Sequence, residues 1–478
     1  MIFSSYPFLL FLAIVFFIYS LLNRLDDGIY ARVWLVLSSF YFYAQGSPNF
    51  LPFFIFTVFF NYGLSMMLIK ARTLARRRLL LAIGLLENLA LLGYFKYVDF
   101  FISNTNLVFG TAIPLQNIML PIGISFFTFQ LIAYLVDCYR GKTAEYSLLN
   151  FLLFITFFPQ LIVGPIVHHS QVVPQFGDAR QRIFSSANML LGLYLFSIGA
   201  AKKILLADPL TRFGDSFFMN VAGGNLVESW IAVLSYTFSL YFDMSGYADM
   251  AIGLGLFFNI ILPQNFNSPL KARNFREYWR RWHMTLSRFL ADYVFRTIYP
   301  KDSRMAERFG GLWFYFAVMT TFLVSGFWHG AGWRFIIWGI INGTFVCAAH
   351  FMAARNWRLP DFAAWPLFFI GLMATRILFF AGNTSHALSV VRKMFDFSAY
   401  HGWAKTAILQ DWVAILSANL YTVGVLVVAA AITFFFNNSM QMKDEFTASP
   451  RQLLFAGIIF GLALFQMTDV VDFVYFQF

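Results

Sequence analysis

The 478-residue sequence is 59% hydrophobic, 20% aromatic and only 12% charged, whereas an ordinary soluble domain carries roughly 25% charged residues. Such a chain needs lipid as its solvent, which excludes a soluble globular enzyme. Its net charge of +11 is split into short clusters between apolar runs, the signature of membrane topology and not of a nucleic-acid surface.

The apolar runs along the chain are Ile2–Leu22, Leu51–Ile69, Leu79–Phe95, Ile118–Val136, Trp230–Phe242, Leu312–Val324, Phe335–Phe351, Leu416–Phe436 and Leu453–Phe465. Several approach the ~20 residues of a spanning helix, and the shorter ones suit tilted or re-entrant positions shielded by protein. Hydropathy therefore predicts an all-α polytopic membrane protein with roughly ten to twelve membrane segments. The first run has no basic flank and no small-residue cleavage site, so it is expected to remain as the first span. Basic residues gather at Lys70, Arg72, Arg76, Arg77 and Arg78, at Arg140 and Lys142, and at Lys271, Arg273, Arg276, Arg280 and Arg281. The positive-inside rule places these loops in the cytoplasm and the N-terminus outside. With no linker or internal repeat, residues 1–478 read as one membrane domain.

Its core, about residues 114–338, is interrupted by Pro121, Gly123, Pro159, Gln160, Gly164, Pro165, Asp243, Ser245, Gly246, Asp249, Pro263, Asn265 and Pro269. Such residues at membrane depth call for broken helices and a polar cavity. The segment Pro263–Tyr299 combines charge with Phe275, Tyr278, Trp279 and Trp282 at near-helical spacing, which suits an interfacial or re-entrant helix. Its arginines offer charge-assisted bonds to the phosphates of a cytosolic coenzyme.

Histidines are the best candidates for chemistry. His329 stands in Ser325-Gly326-Phe327-Trp328-His329-Gly330 between apolar runs, and an ionisable residue in such a place marks a functional site by default. Burial favours the neutral ring, which accepts a proton at neutral pH. Gly326, Gly330 and Gly332 leave room for a substrate or another backbone. His283, in Arg280-Arg281-Trp282-His283, is the second candidate, and Asp243 is a carboxylate placed to orient an imidazole or pair with an arginine. His168 and His169 read as a solvated loop, His350 as a helix end, and His386 and His401 as exposed. Cys138 and Cys347 read as core packing. Neither a metal-ligand spacing, a nucleophile elbow nor a dinucleotide fingerprint is evident.

Four blocks together resemble the membrane-bound O-acyltransferase family, in its bacterial alginate O-acetyltransferase branch. They are Leu120–Gln130, Phe158-Pro159-Gln160-Leu161 with Gly164-Pro165-Ile166, Tyr241–Tyr293, and Ser325–Gly330. The resemblance implies a funnel-shaped helical bundle in the bacterial inner membrane, with His329 deep in a tunnel and His283 as the family's other histidine. Trp328, Asp243, Arg280 and Arg281 lie in the matching blocks as supporting residues. It further implies no resident cofactor and an acyl group, usually acetyl, supplied by a cytosolic thioester such as acetyl-coenzyme A. A periplasmic or extracellular acetyltransferase partner then passes the group to a polysaccharide hydroxyl of the alginate, cellulose or peptidoglycan class. The ending Phe473-Val474-Tyr475-Phe476-Gln477-Phe478 resembles a signature of that branch, where the tyrosine, here Tyr475, is a proposed acyl relay. Departures occur at Leu290-Ala291-Asp292-Tyr293, at Tyr299-Pro300-Lys301-Asp302, and at His168, where relatives often carry arginine.

On this reading His329 is the general base of acyl transfer and His283 positions the acceptor or polarises the thioester carbonyl. The competing readings are a transporter or channel of a polymer-export system, whose paired broken helices should recur in the two halves, and a structural scaffold indifferent to both histidines.

Overall fold

The computed structural model describes residues 2–25, 28–143, 145–178, 184–300, 304–398, 410, 413–414 and 417–467. Among them the regular structure is helical. In chain order the principal helices begin with α1 (Tyr6–Leu22), α2 (Ile29–Gly46), α3 (Leu51–Lys70), α4 (Leu74–Phe109), α5 (Ile124–Tyr139), α6 (Leu148–Thr156) and α7 (His169–Phe176). The long α8 (Ser186–Met219) and α9 (Leu226–Phe257) follow, then the short α10 (Phe275–Arg281) and α11 (Met284–Leu290). After these come α12 (Gly311–His329), α13 (Trp333–Ala354), α14 (Asp361–Phe380), α15 (Thr384–Met394), α16 (Leu420–Phe435) and α17 (Pro450–Phe465).

Among the described residues, six helices, α3, α4, α8, α12, α13 and α14, are long and apolar enough to cross a membrane, and α1, α5, α16 and α17 are apolar but shorter. Phe56, Leu86, Leu312, Leu367 and Phe435 stay more than half exposed on these helices. Water would penalise that surface by about 25 cal/mol per Å², so lipid is its natural cover. The chain is a multi-pass membrane protein, as its composition demands.

The helices depart from the apolar runs at several points. Trp230–Phe242 is the middle of the 32-residue α9, whose extension carries Asp243 and Asp249. Ile118–Val136 becomes helical only from Ile124, after Gly123 in the left-handed region. Pro263–Tyr299 is not one helix: α10 stops at Arg281, and α11 restarts at Met284. Helices α4 and α8 each contain a π-turn, at Gly93–Tyr97 and Lys202–Ala207.

Contacts divide the chain into two compact units. One comprises residues 1–196, 248–264 and 448–453; the other comprises 197–247, 265–447 and 454–478. In the first unit, Asn61 of α3 donates to Glu87 of α4 at 3.0 Å, and Asn88 donates to Asn61 at 2.8 Å, a polar clamp of the kind that joins membrane helices. Arg77 of α4 donates to the Cys138 carbonyl at 3.2 Å and to the Tyr139 carbonyl. A cation on the last carbonyls of α5 complements its dipole, and the contact puts two of the basic clusters at the same end of this unit.

In the second unit, α12 and α13 form a hairpin through Gly330-Ala331-Gly332. Its tightness comes from two glycines: a Cβ at Gly326 would lie 2.3 Å from the Phe335 carbonyl oxygen, and one at Gly339 would lie 2.5 Å from that of Phe322. Backbone meets backbone there, so no side-chain shift relieves the clash. Gly330 accommodates the Phe335 ring, which a Cβ there would meet at 2.0 Å, whereas a Cβ at Gly332 would find nothing nearer than 3.9 Å. Of the uses expected for these glycines, Gly326 serves close backbone approach.

Candidate active site

The hairpin places His329 as the last residue of α12, at a helix end and not inside a span, where it is 5% exposed. Three aromatic rings meet the imidazole edge-on: Trp328 at 4.8 Å, Trp338 at 4.9 Å and Phe379 at 5.3 Å between centroids. Trp338 belongs to α13 and Phe379 to α14, so three helices define the position of one ring.

From Trp338 the contacts continue to Trp279 of α10, 5.7 Å away. Four residues further along the chain is His283, in the break between α10 and α11 with φ +43° and ψ +53°. A non-glycine residue in the left-handed region is uncommon, and such strain concentrates at functional sites. Asn265 maintains it: its carbonyl accepts from Met284 N at 2.9 Å, and its side-chain oxygen accepts from Thr285 N and Oγ1 at 3.2 and 2.9 Å. These bonds satisfy the first amides of α11, which His283 cannot cap from that conformation.

The His283 ring is 1% exposed, and neither of its nitrogens has a hydrogen-bond partner among the described residues. The buried indole nitrogens of Trp279 and Trp338 likewise lack acceptors among those residues. Buried polar atoms are nearly always paired, so these unpartnered nitrogens mark His283, Trp279 and Trp338 as candidates to meet a polar ligand.

Burial pushes the His283 imidazole down to about 3. The unfolded ring titrates near about 6.5. Above that pH both states are neutral; below it the unfolded chain binds a proton that the folded one refuses, and stability falls progressively toward about pH 3. His283→Asn, which tolerates the left-handed backbone, is therefore expected to gain thermal stability relative to wild type as pH falls from about 7 to about 4. Parallel melting profiles for the two proteins would refute a neutral buried His283.

Arg376 of α14 is a further candidate that sequence reading missed. It is 3% exposed, lies 4.6 Å above the Trp282 ring and donates to the Tyr278 hydroxyl. Its Nε has no partner among the described residues. The rule that drew attention to His329, an ionisable residue in an apolar segment, identifies Arg376 equally well.

Asp243 is fully buried, and the partner it pairs with is Lys203, 2.9 Å away, where an imidazole or arginine was expected; Lys203 also reaches Asp208 at 2.8 Å. Arg281 pairs with Glu277 at 2.8 Å, and Arg280 is exposed on α10. His350 lies within α13 near its C-terminal end, against Phe314 at 5.0 Å. His386 is in the first turn of α15, where its Nδ1 accepts from Gly382 N at 3.0 Å. His168 and His169 form no solvated loop: His169 is 1% exposed, and both rings face Asp137. Cys138 is buried and Cys347 half-buried, both with free thiols. Tyr475, His401 and the Lys301-Asp302 pair lie outside the described residues.

Residues 50–380 match the membrane-bound O-acyltransferase family. The chain is 41% identical over 397 residues to a protein of Helicobacter pylori named peptidoglycan O-acetyltransferase, a match covering 77% of this chain and 74% of that one. It is 33% identical over 455 residues to a Pseudomonas aeruginosa protein named "Probable alginate O-acetylase AlgI", covering 93% and 84%. A Bacillus subtilis protein named teichoic acid D-alanyltransferase is 27% identical over 255 residues, covering 51% and 62%.

Proposed function

This chain belongs to the membrane-bound O-acyltransferase family and is an acyltransferase, and from that premise we propose that it carries an acetyl group from a cytosolic thioester to hydroxyls of an extracytoplasmic carbohydrate polymer. Names of its relatives favour peptidoglycan or an alginate-like polysaccharide as the destination. The bacterial inner membrane, the one location with cytosolic thioester on one side and such polymers on the other, is its place of action.

The observation that carries this reading is the run of ring contacts from His329 through Trp338 to Trp279, whose buried indole nitrogens lack acceptors among the described residues, with the equally unpartnered His283 four residues further along the chain. In the proposed reaction His329 removes the acceptor hydroxyl proton as its oxygen attacks the thioester carbonyl. The tetrahedral oxyanion needs donors fixed before it forms, and buried indole N–H groups supply them at no reorganisation cost. Collapse breaks the carbon–sulfur bond, and the imidazolium returns its proton to the leaving thiolate. His283, neutral and acceptor-capable, positions the hydroxyl. That hydroxyl belongs to the polymer, to a partner acetyltransferase outside the cell, or to Tyr475 acting as relay.

The test is transfer in sealed proteoliposomes given a labelled acetyl thioester on one side and a carbohydrate acceptor with its partner protein on the other. Label is expected on the acceptor, strictly dependent on this chain. Polymer movement without any acyl donor would instead identify an export channel.

A further inference from the structure

In the first unit, α5 and the turn entering α7 bring Asp137, His168 and His169 together. Nε2 of His168 lies 2.8 Å from Asp137 Oδ2, and Nε2 of His169 lies 3.1 Å from the same oxygen. One donor atom from each residue falls within 4.8 Å of the other two. The Asp137 and His169 side chains are 4% and 1% exposed, and that of His168 is 32% exposed, so protein walls the cluster while His168 opens it to solvent.

The outer nitrogens are braced. Tyr146 Oη lies 3.0 Å from His169 Nδ1, and Ser170 Oγ lies 2.7 Å from His168 Nδ1. Both braces are hydroxyls, which donate or accept by rotating. With the ring protons on Nε2, the hydroxyls donate to Nδ1 and Asp137 accepts from both rings; Ser170 N also donates to His168 Nδ1 at 3.3 Å. Moving each proton to Nδ1 makes the hydroxyls acceptors, gives up the long bond from Ser170 N, and turns two imidazole lone pairs and a carboxylate toward one point. Two histidines, one carboxylate and braced outer nitrogens are the donor set of a zinc site with one open position.

We propose that Asp137, His168 and His169 bind a divalent transition-metal ion of the zinc type, with water in the fourth position toward the exposed side of His168. The ion ties the last turn of α5 to the start of α7. Each ring moves its proton from Nε2 to Nδ1 as the ion enters, and the carboxylate offsets part of the added charge.

The full chain, purified in detergent with a histidine-free tag and stripped with chelator, is equilibrated with micromolar Zn2+ and then with Co2+. One ion per chain by mass spectrometry is expected, with the visible absorption of tetrahedral Co2+. His168→Asn, which keeps a side chain able to cap α7, is expected to lose the ion while the metal-free melting temperature holds. Tyr146→Phe is expected to weaken binding roughly tenfold through the lost brace. Absence of a stoichiometric ion, or equal affinity in His168→Asn, would overturn the proposal and leave a carboxylate that accepts two imidazole hydrogen bonds.

Discussion

His329→Ala is expected to slow acyl transfer by roughly 10²–10⁴-fold, the range that a positioned general base contributes, in a protein that still inserts in the membrane. The structural loss is limited: the ring sits at the end of α12, and the Gly326–Gly339 contact that ties α12 to α13 does not involve it. Edge contacts to Trp328, Trp338 and Phe379 are lost, at about 0.5–1.5 kcal/mol each, and His329→Gln offers a second variant that fills more of the space. A base acts on the chemical step, so the fall belongs in kcat with KM nearly unchanged. An alanine variant that transfers at the wild-type rate would remove His329 from the mechanism, and a loss confined to KM would recast it as a binding residue.

Lys203→Met carries the largest expected cost in stability. Its ammonium lies between the Asp208 and Asp243 carboxylates, and all three residues are at most 3% exposed. Removing one partner of a buried ion pair costs about 3–5 kcal/mol because a charge is left uncompensated, and here two carboxylates would face each other. The variant is expected to melt far below wild type in detergent. Adding Asp208→Asn and Asp243→Asn should recover most of the loss, since replacing a whole buried ionic group is often close to neutral. A single Lys203→Met protein as stable as wild type would mean that the lysine is not what balances these carboxylates.

The pattern of what was readable follows from where charge sits. Helices α3, α12 and α13 stand out because their apolar runs are nearly unbroken, whereas the strained turn at His283 was hidden, because Phe275, Tyr278, Trp279 and Trp282 read as one helical periodicity while the helix stops at Arg281. Helices α8 and α14 were harder to see for one shared reason. Lys202, Lys203, Asp208 and Arg212 in the first, and Pro366 and Arg376 in the second, resemble the end of a span when read linearly. In three dimensions Lys203 is neutralised by carboxylates from its own helix and from α9, and Arg376 lies against Trp282 and Tyr278. Partners remote in sequence make those charges tolerable. The same remoteness, 31 positions between Asp137 and His168, conceals a three-residue cluster from any spacing rule.

The π-turn at Lys202–Ala207 has a meaning beyond its local geometry. A π-turn accommodates one residue more than the α-helical repeat, and each residue rotates a helix by about 100°. Helix α8 therefore absorbs an extra residue within one turn, and the helix after the turn keeps the phase it would have without it. Loss of one residue of this turn other than Lys203 would let the helix close into regular α geometry with Asp208 and every later side chain still in phase, whereas loss of a residue from a regular turn would rotate all that follow by about 100°. The turn is thus the place in α8 where a change of chain length costs least.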